Sequence, residues 1–76
     1  MGKEILVTSK NISITVNGFE EKVPENASIS FLITHFKEED SNLIAEHNGR
    51  FVYPDKYSAI VSEGDIIEFI NPNFGG

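Results

Sequence analysis

The dipeptide Asn-Gly occurs twice, at Asn17-Gly18 and at Asn48-Gly49, each time between short apolar segments. A type I′ turn needs positive φ at both central residues. Asn tolerates this and Gly adopts it freely, so the pair between alternating hydrophobics is a strong hairpin signal. In "ISITVNGFEEKV", Ile12, Ile14 and Val16 alternate with Ser13 and Thr15, and a second strand returns to Val23 before Pro24. In "NLIAEHNGRFVYP", the segments Leu43 to Ala45 and Phe51 to Tyr53 flank the second turn, and Pro54 closes it. The chain is therefore built around two antiparallel ribbons.

Between the ribbons the period changes. Ile29, Leu32, Ile33 and Phe36 stand at i, i+3, i+4 and i+7, one stripe of a helix, with Ser28 placed to cap its start. Glu38, Glu39 and Asp40 would face the negative end of the helix dipole, so the helix is expected to finish near Lys37 and the acids to be solvated. After "SEGD", the segment "IIEFI" reads as a last strand, with Ile67 and Phe69 facing one way and Ile66, Glu68 and Ile70 the other. Ahead of the first ribbon, Ile5, Leu6 and Val7 are strand-like and Ser9 to Asn11 turn-like, so residues 1–10 read as an extra strand or an arm. The simplest architecture that buries these stripes is α+β: one domain over 1–76, with a mixed four- to five-stranded sheet covered on one face by a single main helix.

Composition removes several functions. Six basic against twelve acidic residues give a net charge of −6, which repels a phosphate backbone, so no nucleic-acid partner is expected. No run approaches the ~18 apolar residues of a membrane span. "MGKEIL" has Leu6 where a myristoylation signal needs Ser or Thr. No membrane partner is expected, and the expected location is cytoplasmic. There is no cysteine, hence no thiolate nucleophile or thiolate metal site. His35 and His47 are the only imidazoles, neither set in a triad-like order, and the 38–40 carboxylates lack further ligand spacing. With no phosphate-binding loop either, the expectation is no catalytic residue, no metal site and no bound cofactor: not an enzyme.

The chain then ends on "NPNFGG". Asn71 to Gly76 can extend up to about 20 Å, at ~3.3–3.6 Å per residue, enough to enter another protein's active site. Pro72 restricts φ and lowers the entropy lost when the segment is gripped. Gly75 and Gly76 have no Cβ, so walls can close around their backbone. Residues 71–76 are expected to form a flexible tail that serves as a substrate arm.

From "ITVNG" through "VPENASISFLI" and "HNGRFVYPDKY" to "EGDIIEF" and the final "GG", the sequence resembles the ThiS/MoaD family of ubiquitin-like sulfur carriers, closest to the ThiS branch. The resemblance implies a β-grasp fold with the helix lying across the sheet. It also implies that the Gly76 carboxylate is adenylated by a ThiF/MoeB-type enzyme, which uses ATP and Mg, and that a sulfur donor then converts it to a thiocarboxylate. In the ThiS branch the acceptor enzyme is the thiazole synthase of thiamine biosynthesis. Gly75, Phe74 and Pro72 would be read by the partner as the tail enters, and the Phe74 ring must be accommodated there.

A docking surface follows from the strand alternation. Ile66 and Ile70 point away from the helix, Ile44 joins them on the neighbouring strand, and Glu68 and Glu46 rim the patch, a composition suited to a protein contact. The same tail also suits a ubiquitin-like modifier conjugated through Gly76, or a carrier for molybdopterin or amino-acid synthesis. The residues leave these readings open.

Overall fold

The computed structural model describes residues 10–72, so the reading of residues 1–10 as a strand or arm falls, but for Lys10, outside the described residues. Strands β1 (Asn11–Val16) and β2 (Phe19–Pro24) form the first ribbon, and β3 (Ile44–His47) and β4 (Arg50–Val52) the second. Helix α1 (Ile29–His35) and a 3-10 turn (Pro54–Lys56) lie in the connections, and β5 (Ile66–Ile70) comes last. The five-stranded sheet has the order β2-β1-β5-β3-β4. β5 lies parallel to β1 and antiparallel to β3, so the last strand occupies the centre and joins the two ribbons. This is the ubiquitin-like β-grasp arrangement.

Both Asn-Gly turns have the backbone that the dipeptide predicts: φ is 51° and 88° at Asn17 and Gly18, and 54° and 84° at Asn48 and Gly49. The ribbons pair directly across them, Val16 with Phe19 and His47 with Arg50. The second ribbon is shifted from its expected segments, because the Asn48-Gly49 turn is tight and pulls Glu46, His47 and Arg50 into the ladder.

The start of α1 is fully supplied with acceptors. Ser28 Oγ accepts from Phe31 N at 3.0 Å, while Ile29 N and Ser30 N donate to Ala59 O and Tyr57 O. The helix stops about two turns later in a Schellman motif. Glu38 N donates to Ile33 O at 2.9 Å and Lys37 N to Thr34 O at 3.1 Å, with Lys37 at φ 58°. Glu39 is exposed, but Glu38 and Asp40 are half-buried rather than simply solvated. Asp40 Oδ1 accepts from Asn42 N at 2.8 Å, and Glu38 has the partner described below.

Ile29 and Leu32 of α1 are buried against Ile14, Val16, Val23, Ala45, Ile67 and Phe69 of the sheet, with Ile33 and Phe36 packed at the margin. Complete burial of a Leu or Ile side chain stabilises by about 1.5–3 kcal/mol. For 76 residues, whose total stability is of order 4–11 kcal/mol, a few such side chains decide whether the chain folds.

Candidate functional site

The side of the sheet away from α1 carries the residues that the alternation assigns outward. In β5, Ile67 and Phe69 are buried, whereas Ile66 and Ile70 are 50% and 40% exposed and Glu68 is exposed. Paired residues share a face of a sheet. Ile44 is opposite Ile70 and Glu46 opposite Glu68, so Ile44, Ile66, Glu68 and Ile70 lie on one surface. Glu46 and Phe51 are paired in turn, which places Phe51 on this surface as well, 48% exposed. Its ring meets Tyr53 edge to face at 4.5 Å between centroids, and Tyr53 is 62% exposed. Sequence reasoning missed these two aromatics, although the period-two alternation around Val52 in "RFVYP" carried the signal.

The surface thus combines a run of exposed apolar side chains with two carboxylates set directly across from each other. Like charges in that position are destabilising, so Glu46 and Glu68 oppose the folding of the isolated protein. Exposed aliphatic and aromatic groups also gain nothing from water. Apolar contact and positive charge would complement both features.

Ile70 is the last residue of β5, and the chain leaves the sheet beside Ile44. Asn71 follows, half-buried, with its side-chain nitrogen donating to Glu38 Oε1 at 3.3 Å; Pro72 is exposed. Of the tail residues singled out from sequence, Phe74, Gly75 and Gly76 lie outside the described residues. Pro72 follows Ile70 by two positions, and Ile70 is paired with Ile44 on the outer face of the sheet.

The other end of β5 holds a polar cluster. Asp65 Oδ2 lies 2.6 Å from His47 Nε2 and accepts from Ser62 N at 2.8 Å, while its Oδ1 accepts from Asn48 Nδ2 at 3.1 Å. Burial pushes the Asp65 pKa up, but the hydrogen bonds from His47, Ser62 and Asn48 outweigh it and hold the carboxyl below its ordinary value. This cluster ties the second hairpin to the loop before β5 and lies at the opposite end of β5 from the tail. His35 is separate, exposed on α1 with its ring stacked on Phe31 at 5.4 Å. Among the described residues, no three His, Cys, Asp or Glu side chains are grouped as a metal would require, and no helix is long and apolar enough to cross a membrane.

Comparisons with known proteins place this geometry. Among solved structures, the crystal structure of a thiamine biosynthesis protein (ThiS) from Geobacter metallireducens is similar at a TM-score of 0.71 and 26% identity, covering 86% of this chain and 97% of that one. Comparison with curated proteins gives no match. The model of the ThiS family matches residues 5–76. The chain belongs to the ThiS family.

Proposed function

We propose that this protein is a sulfur carrier of thiamine biosynthesis, without catalytic groups of its own, whose chemistry resides in the Gly76 carboxyl group. The observation that carries the reading is the family match, which extends through the tail to Gly76. The similarity to a thiamine biosynthesis protein at 26% identity supports the pathway.

A carboxylate is a poor electrophile, so the reaction needs an activating partner of the ThiF/MoeB type. A Gly76 carboxylate oxygen attacks the α-phosphorus of ATP, and Mg-bound pyrophosphate leaves. The acyl-adenylate then has AMP as its leaving group, which a sulfur nucleophile displaces to give the thiocarboxylate. ATP and Mg are used by the partner. The terminal sulfur becomes the nucleophile offered to the acceptor enzyme, a thiazole synthase. This chain contributes docking and delivery. The outer face of Ile44, Phe51, Ile66 and Ile70 meets the partner, Glu68 and Glu46 meet basic side chains there, and Pro72, Phe74 and Gly75 are read as the tail enters.

Intact-mass measurement after incubation with the cognate activating enzyme, ATP, Mg and a sulfur donor tests the reading. The expected product is heavier by the difference between one sulfur and one oxygen atom. Absence of that species while the enzyme consumes ATP on a control carrier would sink the proposal, and denaturant-resistant adducts to other proteins would point to a modifier instead.

A further inference from the structure

Three restraints meet where the chain leaves the sheet. Asn71 donates to Glu38 Oε1 at 3.3 Å in a half-buried contact. Asn71 also precedes a proline, whose ring keeps the residue before it out of the α region. Pro72 itself has φ fixed near about −65°. On the other side of the contact, Glu38 is no loose surface carboxylate: its backbone closes the Schellman motif on Ile33 O, and the helix that ends there is held by the buried Ile29 and Leu32. Asn71 is thereby tied to the C-terminal end of α1, across 33 positions of sequence.

We infer that Glu38 is a positioning residue: the hydrogen bond that it accepts from Asn71 sets the direction in which the tail departs and aims Gly76 at the partner's adenylation site. The inference rests on the carrier reading above. With Asn71 and Pro72 held to the domain, four residues separate the last held position from the Gly76 carboxyl group, a contour of at most about 14 Å, against about 20 Å for six. A shorter leash raises the effective concentration of its end at a fixed target and leaves fewer torsions to freeze on entry. The consequence falls on the chemical step and not on docking, because the outer face is untouched.

Two measurements decide this. In the free protein, ¹⁵N relaxation should give Asn71 a backbone order parameter near about 0.85, falling below about 0.6 in Glu38→Ala. With the activating enzyme, ATP and Mg, Glu38→Ala and Asn71→Ala should each lower kcat/KM for adenylation by about 3- to 10-fold, the size of one hydrogen bond's contribution. The loss should appear in single-turnover adenylate formation, with the affinity for the enzyme unchanged, and the double variant should be no worse than either single one. Glu38→Gln keeps the acceptor and should stay near wild type. Asn71→Asp opposes two carboxylates and should be impaired, whereas combining it with Glu38→Gln exchanges donor and acceptor and should restore the rate. An unchanged order parameter, additive losses, or a loss confined to affinity would overturn the positioning role. Failure of the wild-type protein to form any adenylate would instead overturn the carrier reading, while the relaxation result would still decide whether the bond holds Asn71.

Discussion

The side-chain oxygen of Asn17 accepts a hydrogen bond from the backbone N–H of Phe69 at 2.7 Å, across 52 positions of sequence. β1 ends at Val16 because the chain turns there, yet β5 continues, and the amide of Asn17 stands where the next ladder carbonyl would be. Asn48 repeats the device on the other side of β5, with Oδ1 accepting from Ile66 N at 2.7 Å. Each hairpin asparagine therefore has two functions: positive φ for its own turn and an acceptor for the central strand.

Asn17→Ala should lose both. A left-handed conformation costs about 1–2 kcal/mol without Asn or Gly, and an unpaired N–H in the partly buried ladder about 1–3 kcal/mol, so urea denaturation should show a loss of roughly 2–5 kcal/mol. Asn17→Gly relieves the backbone strain and should lose only the second part, and Asn17→Asp, which retains an acceptor, should stay closest to wild type.

The Asp65 cluster sets an acid limit on stability. Asp65 is held below its ordinary pKa in the folded protein, so the folded state binds fewer protons than the unfolded one. That stabilisation is present above the unfolded carboxylate value of about 3.9 and is lost as pH falls through it toward the folded value. Melting temperatures measured from neutral pH downward should drop below about pH 5, and Asp65→Asn should melt lower at neutral pH with a shallower acid slope.

Lys37 occupies, at φ 58°, the left-handed position that ends α1. Its side chain is exposed. Lys37→Gly removes about 1–2 kcal/mol of backbone strain against a loss of about 0.5–1 kcal/mol from the greater freedom of glycine in the unfolded chain. The net gain should raise the melting temperature by a few degrees, roughly 2–6 °C for a domain of this size.

Glu46 and Glu68 should show stability and docking moving in opposite directions. Glu68→Lys converts a like-charge pair into a cross-strand ion pair and should stabilise the free protein by about 0.2–1 kcal/mol. Calorimetric titration with the activating enzyme should nevertheless show weaker binding, as should Ile70→Ala and Phe51→Ala, with roughly tenfold losses for a central apolar contact.

Deleting Gly75 and Gly76 should abolish thiocarboxylate formation, read by intact mass, and leave the melting temperature unchanged. A truncated chain that still accepts sulfur would place the chemistry elsewhere.

Local chemistry was legible in the sequence wherever a signal lies within a few residues. The positive-φ turns at Asn17-Gly18 and Asn48-Gly49, the Ser28 cap, the buried stripe of Ile29 and Leu32 and the two-faced β5 all rest on covalent preference or on a period of 3.6 or 2. The helix end was less legible. A lysine in the left-handed region goes against local preference and is held by the hydrogen bonds of Lys37 and Glu38 back to the helix.

Sequence by itself determined which segments pair as hairpins and which residues of β5 face the helix. Only the tertiary structure decided that β5 lies between the ribbons, that Glu46 faces Glu68, that Phe51 and Tyr53 widen the outer surface, and that Glu38 grips Asn71. The physical reason is range. Turn and periodicity preferences act between near neighbours along the chain, whereas the position of a central strand and the partners of its ends depend on how all the buried surfaces close together at once.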